Sequence, residues 1–131
     1  MQIHQSAEDY LETILMLNQR MGRVRSIDVV NELGYTKASV SIAMKKLREN
    51  GYIAVDGEGN LTLLEPGREI AERIYSRHRL LTHFFVQLGV EEGIAAEDAC
   101  KAEHILSEQT LEKIREYALL PDAESTLKNE D

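Results

Sequence analysis

Three stripes of apolar residues open the chain. Within each stripe the apolar residues recur three or four positions apart, the spacing that places them on one face of an α-helix. A serine precedes each of the first two stripes as a candidate cap, and Gly34 follows the second as a terminator. The pattern predicts helices over about 6–20, 26–33 and 37–50.

The pattern changes after Gly51. Two short β-prone runs, Tyr52–Val55 and Leu61–Leu64, flank the turn-forming sequence Asp-Gly-Glu-Gly-Asn, which predicts a hairpin. Helical periodicity then returns from Pro66 to about Gly89, over about 94–106, and after Ser107 until Leu120-Pro121. The sequence therefore predicts a mainly α fold with a small β-hairpin.

The order of the first elements indicates a nucleic-acid-binding module. Helix, short helix, glycine turn, helix and hairpin is the order of a winged helix-turn-helix. The alternative is a small packed subdomain over 20–64 whose polar face is only solvated, because two helices around a glycine also occur without DNA.

Charge supports the first interpretation. The net charge of −8 argues against a nucleic-acid partner, but the charge is unevenly distributed. Arg20–Arg48 contains seven basic and two acidic residues, whereas Leu81–Asp131 contains four basic and twelve acidic residues. The basic segment suits a domain that binds nucleic-acid phosphates, and the acidic segment suits a domain that binds cations.

The third predicted helix carries hydroxyl and ammonium groups on its polar face. Such groups can reach phosphates and base edges in a major groove, and Ala38 is small enough to approach a thymine methyl. Arg25, before the second helix, is placed to hold the DNA backbone. The predicted DNA-contacting residues are Arg25, Thr36, Lys37, Ala38, Ser39, Ser41 and Lys45.

A second constellation can bind metal. Cys100, Glu103 and His104 have the spacing i, i+3 and i+4, which places a thiolate, a carboxylate and an imidazole on one face of the fifth predicted helix. Each has an ordinary alternative: a lone cysteine is more often a small buried apolar residue, and an adjacent glutamate and histidine are often an exposed pair.

Three further residues can complete a metal shell. Asp9 and Glu12 are one turn apart on the first helix, and His78 lies on the fourth. Each also has an alternative to metal binding. The Asp9 carboxylate can stabilise the N-terminus of the first helix, and the side chains of Glu12 and His78 can simply be exposed to solvent. Carboxylates suit Mn²⁺, and an imidazole with a thiolate shifts the preference towards Fe²⁺, Co²⁺, Ni²⁺ or Zn²⁺.

Four segments together resemble a known family. Ser6–Ile14, the helix-turn-helix up to Gly51–Ile53, Arg77–Leu81 and Cys100–Ser107 are similar to the metal-dependent repressors typified by the diphtheria toxin repressor and the manganese transport regulator. The resemblance covers about residues 5–119 in one order. It implies a winged helix DNA-binding domain over 1–65 and a helical metal-binding and dimerisation domain over 66–119, followed by an acidic tail over 120–131.

The resemblance implies a homodimeric regulator that binds a palindromic operator and represses metal-uptake genes when Mn²⁺ or Fe²⁺ is bound. The implied ligands mix two branches of the family. Asp9 and Glu12 match the manganese branch, whereas Cys100 matches the Cys-x-x-Glu-His motif of the iron branch. The metal ligands predicted for this chain are Asp9, Glu12, His78, Cys100, Glu103 and His104.

Other expectations follow from the bulk sequence. No run of 18 apolar residues and no secretory signal is present, so we expect a cytoplasmic protein without a membrane partner. We expect neither an enzyme nor a small-molecule substrate. Three alternatives remain at this stage: a winged-helix regulator that ignores metal, a small metallohydrolase that uses the same ligands, and a module whose acidic body binds a basic protein.

Overall fold

The computed structural model describes residues 5–118. Within that range the chain forms six helices and a two-stranded antiparallel sheet, which confirms the predicted mainly α fold with a β-hairpin. In chain order the elements are α1 (Gln5–Met21), α2 (Ser26–Leu33), α3 (Lys37–Glu49), β1 (Ile53–Val55), β2 (Leu61–Leu63), α4 (Glu65–Gln87), α5 (Glu92–Ala102) and α6 (Glu108–Ala118). Two compact units divide between Ile74 and Tyr75, inside α4.

The first unit is the winged helix. Helix α1 contacts α2, α3 and β2, and α3 also contacts α2 and β1. Leu11 and Ile14 of α1, Val29 of α2 and Val40 of α3 are completely buried. Burying each such side chain stabilises the fold by roughly 1.5–3 kcal/mol, so the apolar stripe of each helix holds it in this unit.

The turn between α2 and α3 has a clear local cause. Gly34 has φ 72°, a left-handed conformation that a residue with a Cβ rarely adopts, and its N–H donates to the Val30 carbonyl at 2.8 Å. Thr36 then caps α3 by accepting the Ser39 N–H at 3.1 Å. These two caps fix the direction in which α3 leaves the turn.

The hairpin forms the wing. Ile53 pairs with Leu63 and Val55 with Leu61, so Ile53, Leu61 and Leu63 point to the buried side. The Leu61 N–H donates to the Val24 carbonyl at 2.7 Å, which ties the segment before α2 to the second strand.

The second unit is helical. Leu81 of α4, Ala99 of α5 and Leu111 of α6 form its buried centre. Phe84 and Tyr117 meet edge-to-face with their ring centroids 6.0 Å apart, which adds to the packing of α4 with α6. Among the described helices, none is both long and apolar enough to cross a membrane. The acidic tail expected over 120–131 lies outside the described residues.

Three details differ from the sequence prediction. Ser6 lies inside α1, which already includes Gln5, so it is not the cap of that helix. The predicted helix over 94–106 ends earlier, at Ala102, because Glu103 is its cap and the N–H groups of Ile105 and Leu106 both turn back to the Ala102 carbonyl. Ser26 is the first residue of α2 rather than its cap: Arg25 occupies the cap position, and its N–H donates to the Asp28 carboxylate at 2.9 Å.

Candidate metal centre and nucleic-acid interface

Glu103 is the centre of a buried polar cluster in the second unit. Its side chain has 0 % exposure. One carboxylate oxygen, Oε2, lies 3.1 Å from Nδ1 of His78, and the other, Oε1, lies 3.4 Å from Nε2 of His104. Within the described part of the chain, Oε1 of Glu103 has no hydrogen-bond partner.

This arrangement has the chemistry of a cation site. Burying a carboxylate away from water is costly unless a positive charge or hydrogen bonds compensate it. The side chains of His78 and His104 are only 21 % and 2 % exposed, so water compensates little. A carboxylate with two imidazole nitrogens is a ligand set that divalent first-row metals accept, so these residues fit the implied metal.

Arg77 positions Glu103 from the backbone side. Its guanidinium donates to the Glu103 carbonyl at 3.3 Å and forms an ion pair with Glu108 at the start of α6. The Arg77 side chain is largely buried. It therefore connects α4, the turn after α5 and α6 around the cluster, a role that sequence analysis missed because Arg77 lies 26 residues from Glu103 in the chain.

Cys100 has a different environment. It is exposed, on the last turn of α5, so the interpretation of this cysteine as a buried apolar residue is wrong. Glu103 and His104 lie beyond the end of α5, in the turn that follows it. Among the described residues, the Cys100 sulfur does not belong to the groups of potential ligand atoms that gather within 4.8 Å around Glu103.

Asp9 and Glu12 belong to the first unit, where α1 holds them one turn apart on one side of the helix. Glu12 is buried, which is unusual for a glutamate, and Asp9 is partly buried. Their neighbour Glu8 lies 3.6 Å from Arg73 of α4. The first unit thus presents one buried and one half-buried carboxylate on a single helix.

Helix α3 presents the predicted nucleic-acid face. Val40, Met44 and Leu47 are buried, whereas the predicted DNA contacts of this segment are exposed: Thr36, Lys37, Ala38, Ser39, Ser41 and Lys45. A cavity of 340 Å³ adjoins this face, and its lining combines Ser41, Lys45 and Arg48 with the apolar side chains of Ile42, Met44 and Val55. The hydroxyl and cationic groups among them suit phosphate oxygens.

Two of these residues also have a structural task. The Thr36 hydroxyl accepts the Ser39 N–H and donates to the Ser39 hydroxyl at 2.9 Å. Both hydroxyls are therefore oriented by the cap of α3 before any partner arrives.

Arg25 contacts the wing. Its Nε donates to the Glu58 carbonyl at 3.0 Å, and its Nη2 donates to the same oxygen. Arg23 lies near the Glu58 carboxylate, with 3.8 Å between the charged atoms. Because a guanidinium has five N–H donors, Arg25 retains donors for a phosphate while it holds the wing to the start of α2.

The wing tip is ordered by Asp56. Its Oδ1 accepts the N–H groups of Glu58 and Asn60 at 2.8 and 2.9 Å, and its Oδ2 accepts the Asn60 amide at 2.9 Å. The side-chain hydrogen bond from Asn60, followed by the backbone one, lowers the pKa of Asp56 below its ordinary value. The Asp56 carboxylate therefore stabilises the wing tip through hydrogen bonds within the wing.

Both halves of the chain match domains of one family. Residues 2–61 match the N-terminal DNA-binding domain of the iron-dependent repressors, and residues 64–124 match their metal-binding and dimerisation domain. Two sequence relatives cover most of the chain. An uncharacterized HTH-type transcriptional regulator of Methanocaldococcus jannaschii is 35% identical over 85% of this chain and 90% of its own length. The HTH-type transcriptional regulator MntR of Lysinibacillus sphaericus is 32% identical over 83% of this chain and 78% of its own length.

A solved structure of a transcriptional repressor has a similar fold. A manganese-dependent transcriptional repressor in complex with manganese is 28% identical and superposes with a TM-score of 0.79 over 88% of this chain. The match covers 53% of that repressor, so this chain spans about half its length.

Proposed function

The chain belongs to the family of iron-dependent repressors, which are metal-dependent transcriptional repressors, and on that premise we propose how this member works. It is a cytoplasmic homodimer that binds a palindromic operator when Mn²⁺ or Fe²⁺ is bound. It then represses genes for metal uptake. Two similar proteins support this proposal: a manganese-dependent repressor with the same fold, and the relative named MntR.

The observation that carries the proposal is the buried carboxylate of Glu103 between two imidazoles. Its two oxygens lie 3.1 and 3.4 Å from nitrogens of His78 and His104. A divalent ion at this carboxylate would compensate the buried charge and satisfy Oε1 of Glu103. When bound, the ion supplies a fixed positive charge that several elements can share.

We propose that the full ligand set is Asp9, Glu12, His78, Cys100, Glu103 and His104. The carboxylates of α1 support this because Glu12 is buried, and a glutamate is seldom buried unless its charge is paired. Cys100 belongs to the set by its motif. The Cys100 side chain is exposed, and the motif alone supports its sulfur as a ligand.

The proposed switch follows from ligands in two units. Metal held by α1 together with the turn after α5 would fix the first unit against the second, and so fix the separation of the two α3 helices in a dimer. The metal then shifts the population towards the DNA-competent arrangement, and DNA tightens metal binding by the same factor. Half-sites one helical turn of DNA apart, or a multiple of one turn, would match this symmetry.

Two of the three alternative functions each leave a feature of the chain unexplained. A winged-helix regulator indifferent to metal leaves the buried Glu103 cluster unexplained. A small metallohydrolase leaves the exposed hydroxyl and ammonium groups of α3 unexplained, and the named relatives are transcriptional regulators.

Selection from a random duplex library tests the proposal. The full chain should enrich a palindromic sequence with Mn²⁺ or Fe²⁺, and enrichment should disappear with EDTA. Enrichment of the same sequence in EDTA would support a regulator that does not sense metal. No enrichment under either condition would argue against DNA binding itself.

A further inference from the structure

The outward face of α3 has an aliphatic side chain at its centre. Ile42 is 58% exposed, although the residues around it on this face are small or polar. The buried face of the helix is formed by Val40, Met44 and Leu47. At about 100° per residue, Ile42 lies roughly 190° from the centre of that face, so it points away from the core.

We propose that Ile42 determines operator specificity by contacting the methyl group of a thymine. The inference rests on the proposed function, in which α3 enters the major groove, and it goes further by naming a base and a residue that reads it. A recognition helix in the major groove turns its outward side chains towards the base edges, and Ile42 is one of these side chains.

The chemistry of the groove selects the base. Each base presents hydrogen-bonding atoms in the major groove, but only thymine also presents a methyl group there. Ile42 can neither donate nor accept a hydrogen bond. Over thymine it buries apolar surface, and over another base it covers a polar atom without replacing the hydrogen bond to water. The apolar contact with the thymine methyl and the cost of covering a polar atom on another base therefore both favour thymine.

Ala38 extends the apolar patch. It lies one turn before Ile42 on the same exposed face. Residues one turn apart have Cβ atoms about 5–6 Å apart, and successive base pairs are about 3.4 Å apart. That spacing corresponds to about one to two base-pair steps, so each half-site should contain two closely spaced thymines.

Deoxyuridine substitution tests the assignment on the full chain with Mn²⁺. Each thymine of the selected operator is replaced in both half-sites, which removes only the methyl group. At the thymine that Ile42 contacts, the wild type should lose about fourfold in affinity per methyl, the factor that corresponds to about 0.8 kcal/mol for one buried carbon. Ile42→Ala should bind the thymine and uracil duplexes of that position equally, while it retains the response at the thymine that Ala38 contacts.

Ile27→Ala is the matched control, since Ile27 is an exposed isoleucine of the same unit outside α3 (43% exposed). It should retain the full response to uracil. A wild type insensitive to every thymine methyl, or an Ile42→Ala variant as sensitive as the wild type, would overturn the role of Ile42 and leave the proposed function standing. Failure of the wild type to bind any duplex with Mn²⁺ or Fe²⁺ would overturn both.

Discussion

The Nδ1 atom of His78 lies 3.1 Å from Oε2 of Glu103, although 25 residues separate them in the chain. This pair joins α4 to the turn after α5 inside the second unit. It places an imidazole nitrogen and a buried carboxylate oxygen where one ion can bind both.

The first prediction concerns this pair. Glu103→Gln preserves the shape of the side chain but removes its charge, so it should lower the affinity for Mn²⁺ by about 100-fold or more. Isothermal titration calorimetry measures the change. Glu97→Gln, which changes an exposed glutamate of α5, is the control and should bind like the wild type. Equal affinities for all three proteins would remove Glu103 from the metal centre.

The second prediction concerns Arg77, which positions the Glu103 peptide. Arg77→Ala removes the bonds to the Glu103 carbonyl and to Glu108, so metal affinity should fall by about tenfold while the overall fold persists. Arg79→Ala is the matched change on the same helix, because Arg79 is exposed and lies 5.9 Å from the centre of the Tyr75 ring. If both variants bind metal alike, Arg77 has no positioning role.

The third prediction concerns a close approach of backbones. A Cβ added to Gly67 in the first turn of α4 would collide with the carbonyl group of Tyr52. That carbonyl already accepts the Leu64 N–H at 3.0 Å and cannot move freely. Gly67→Ala should therefore lower the free energy of unfolding by about 2 kcal/mol, measured by urea denaturation.

Gly57→Ala is the control for that experiment, because an added Cβ there meets no atom within 4 Å. Its free energy of unfolding should stay within about 0.5 kcal/mol of the wild type. A Gly67 variant as stable as the Gly57 variant would show that α4 shifts without cost.

The fourth prediction concerns pH and the wing. The pKa of Asp56 is lowered in the folded protein, chiefly by the side chain of Asn60. A lowered pKa stabilises the wing above the unfolded value of 3.8, and this contribution is lost as pH falls through the lower folded value. The Asn60 amide signal in an NMR titration should therefore move with a midpoint below 3.8.

Asp56→Ala should abolish that transition and broaden the wing signals. A midpoint above 3.8 in the wild type would contradict the hydrogen-bonding scheme of the wing tip.

The fifth prediction concerns phosphate contacts. Lys45→Ala should weaken binding to the selected operator and to unrelated duplexes by similar factors. It should also reduce the slope of log affinity against log salt by about 0.9 for each phosphate that the variant no longer neutralises. Lys101→Ala, in the second unit, should leave the slope unchanged. A weakening confined to the operator would instead make Lys45 a base-reading residue.

Local patterns explain why much of the first unit could be predicted. Gly34 and Thr36 act within four residues of their partners, so their roles as helix terminator and cap can be read from neighbouring letters. Apolar spacing likewise identified Val40, Met44 and Leu47 as the buried face of α3. Such signals depend on the helix period and on backbone geometry, which the sequence carries directly.

Long-range contacts were less accessible to prediction. The i, i+3, i+4 spacing predicted one helical face for Cys100, Glu103 and His104, but α5 ends at Ala102 and the last two lie in a turn. The links from Arg77 to Glu103 and from Arg25 to the wing span 26 and 33 residues. They depend on how the elements pack, and periodicity reports only which face is buried.

The measurement that tests the central claim most directly is the affinity of the full chain for its selected operator, by fluorescence anisotropy, with EDTA and with excess Mn²⁺ or Fe²⁺. We predict that metal tightens binding of the wild type by about 10- to 100-fold and that Glu103→Gln needs a much higher metal concentration for the same effect. Equal affinity of the wild type with EDTA and with either ion would contradict a metal-controlled repressor.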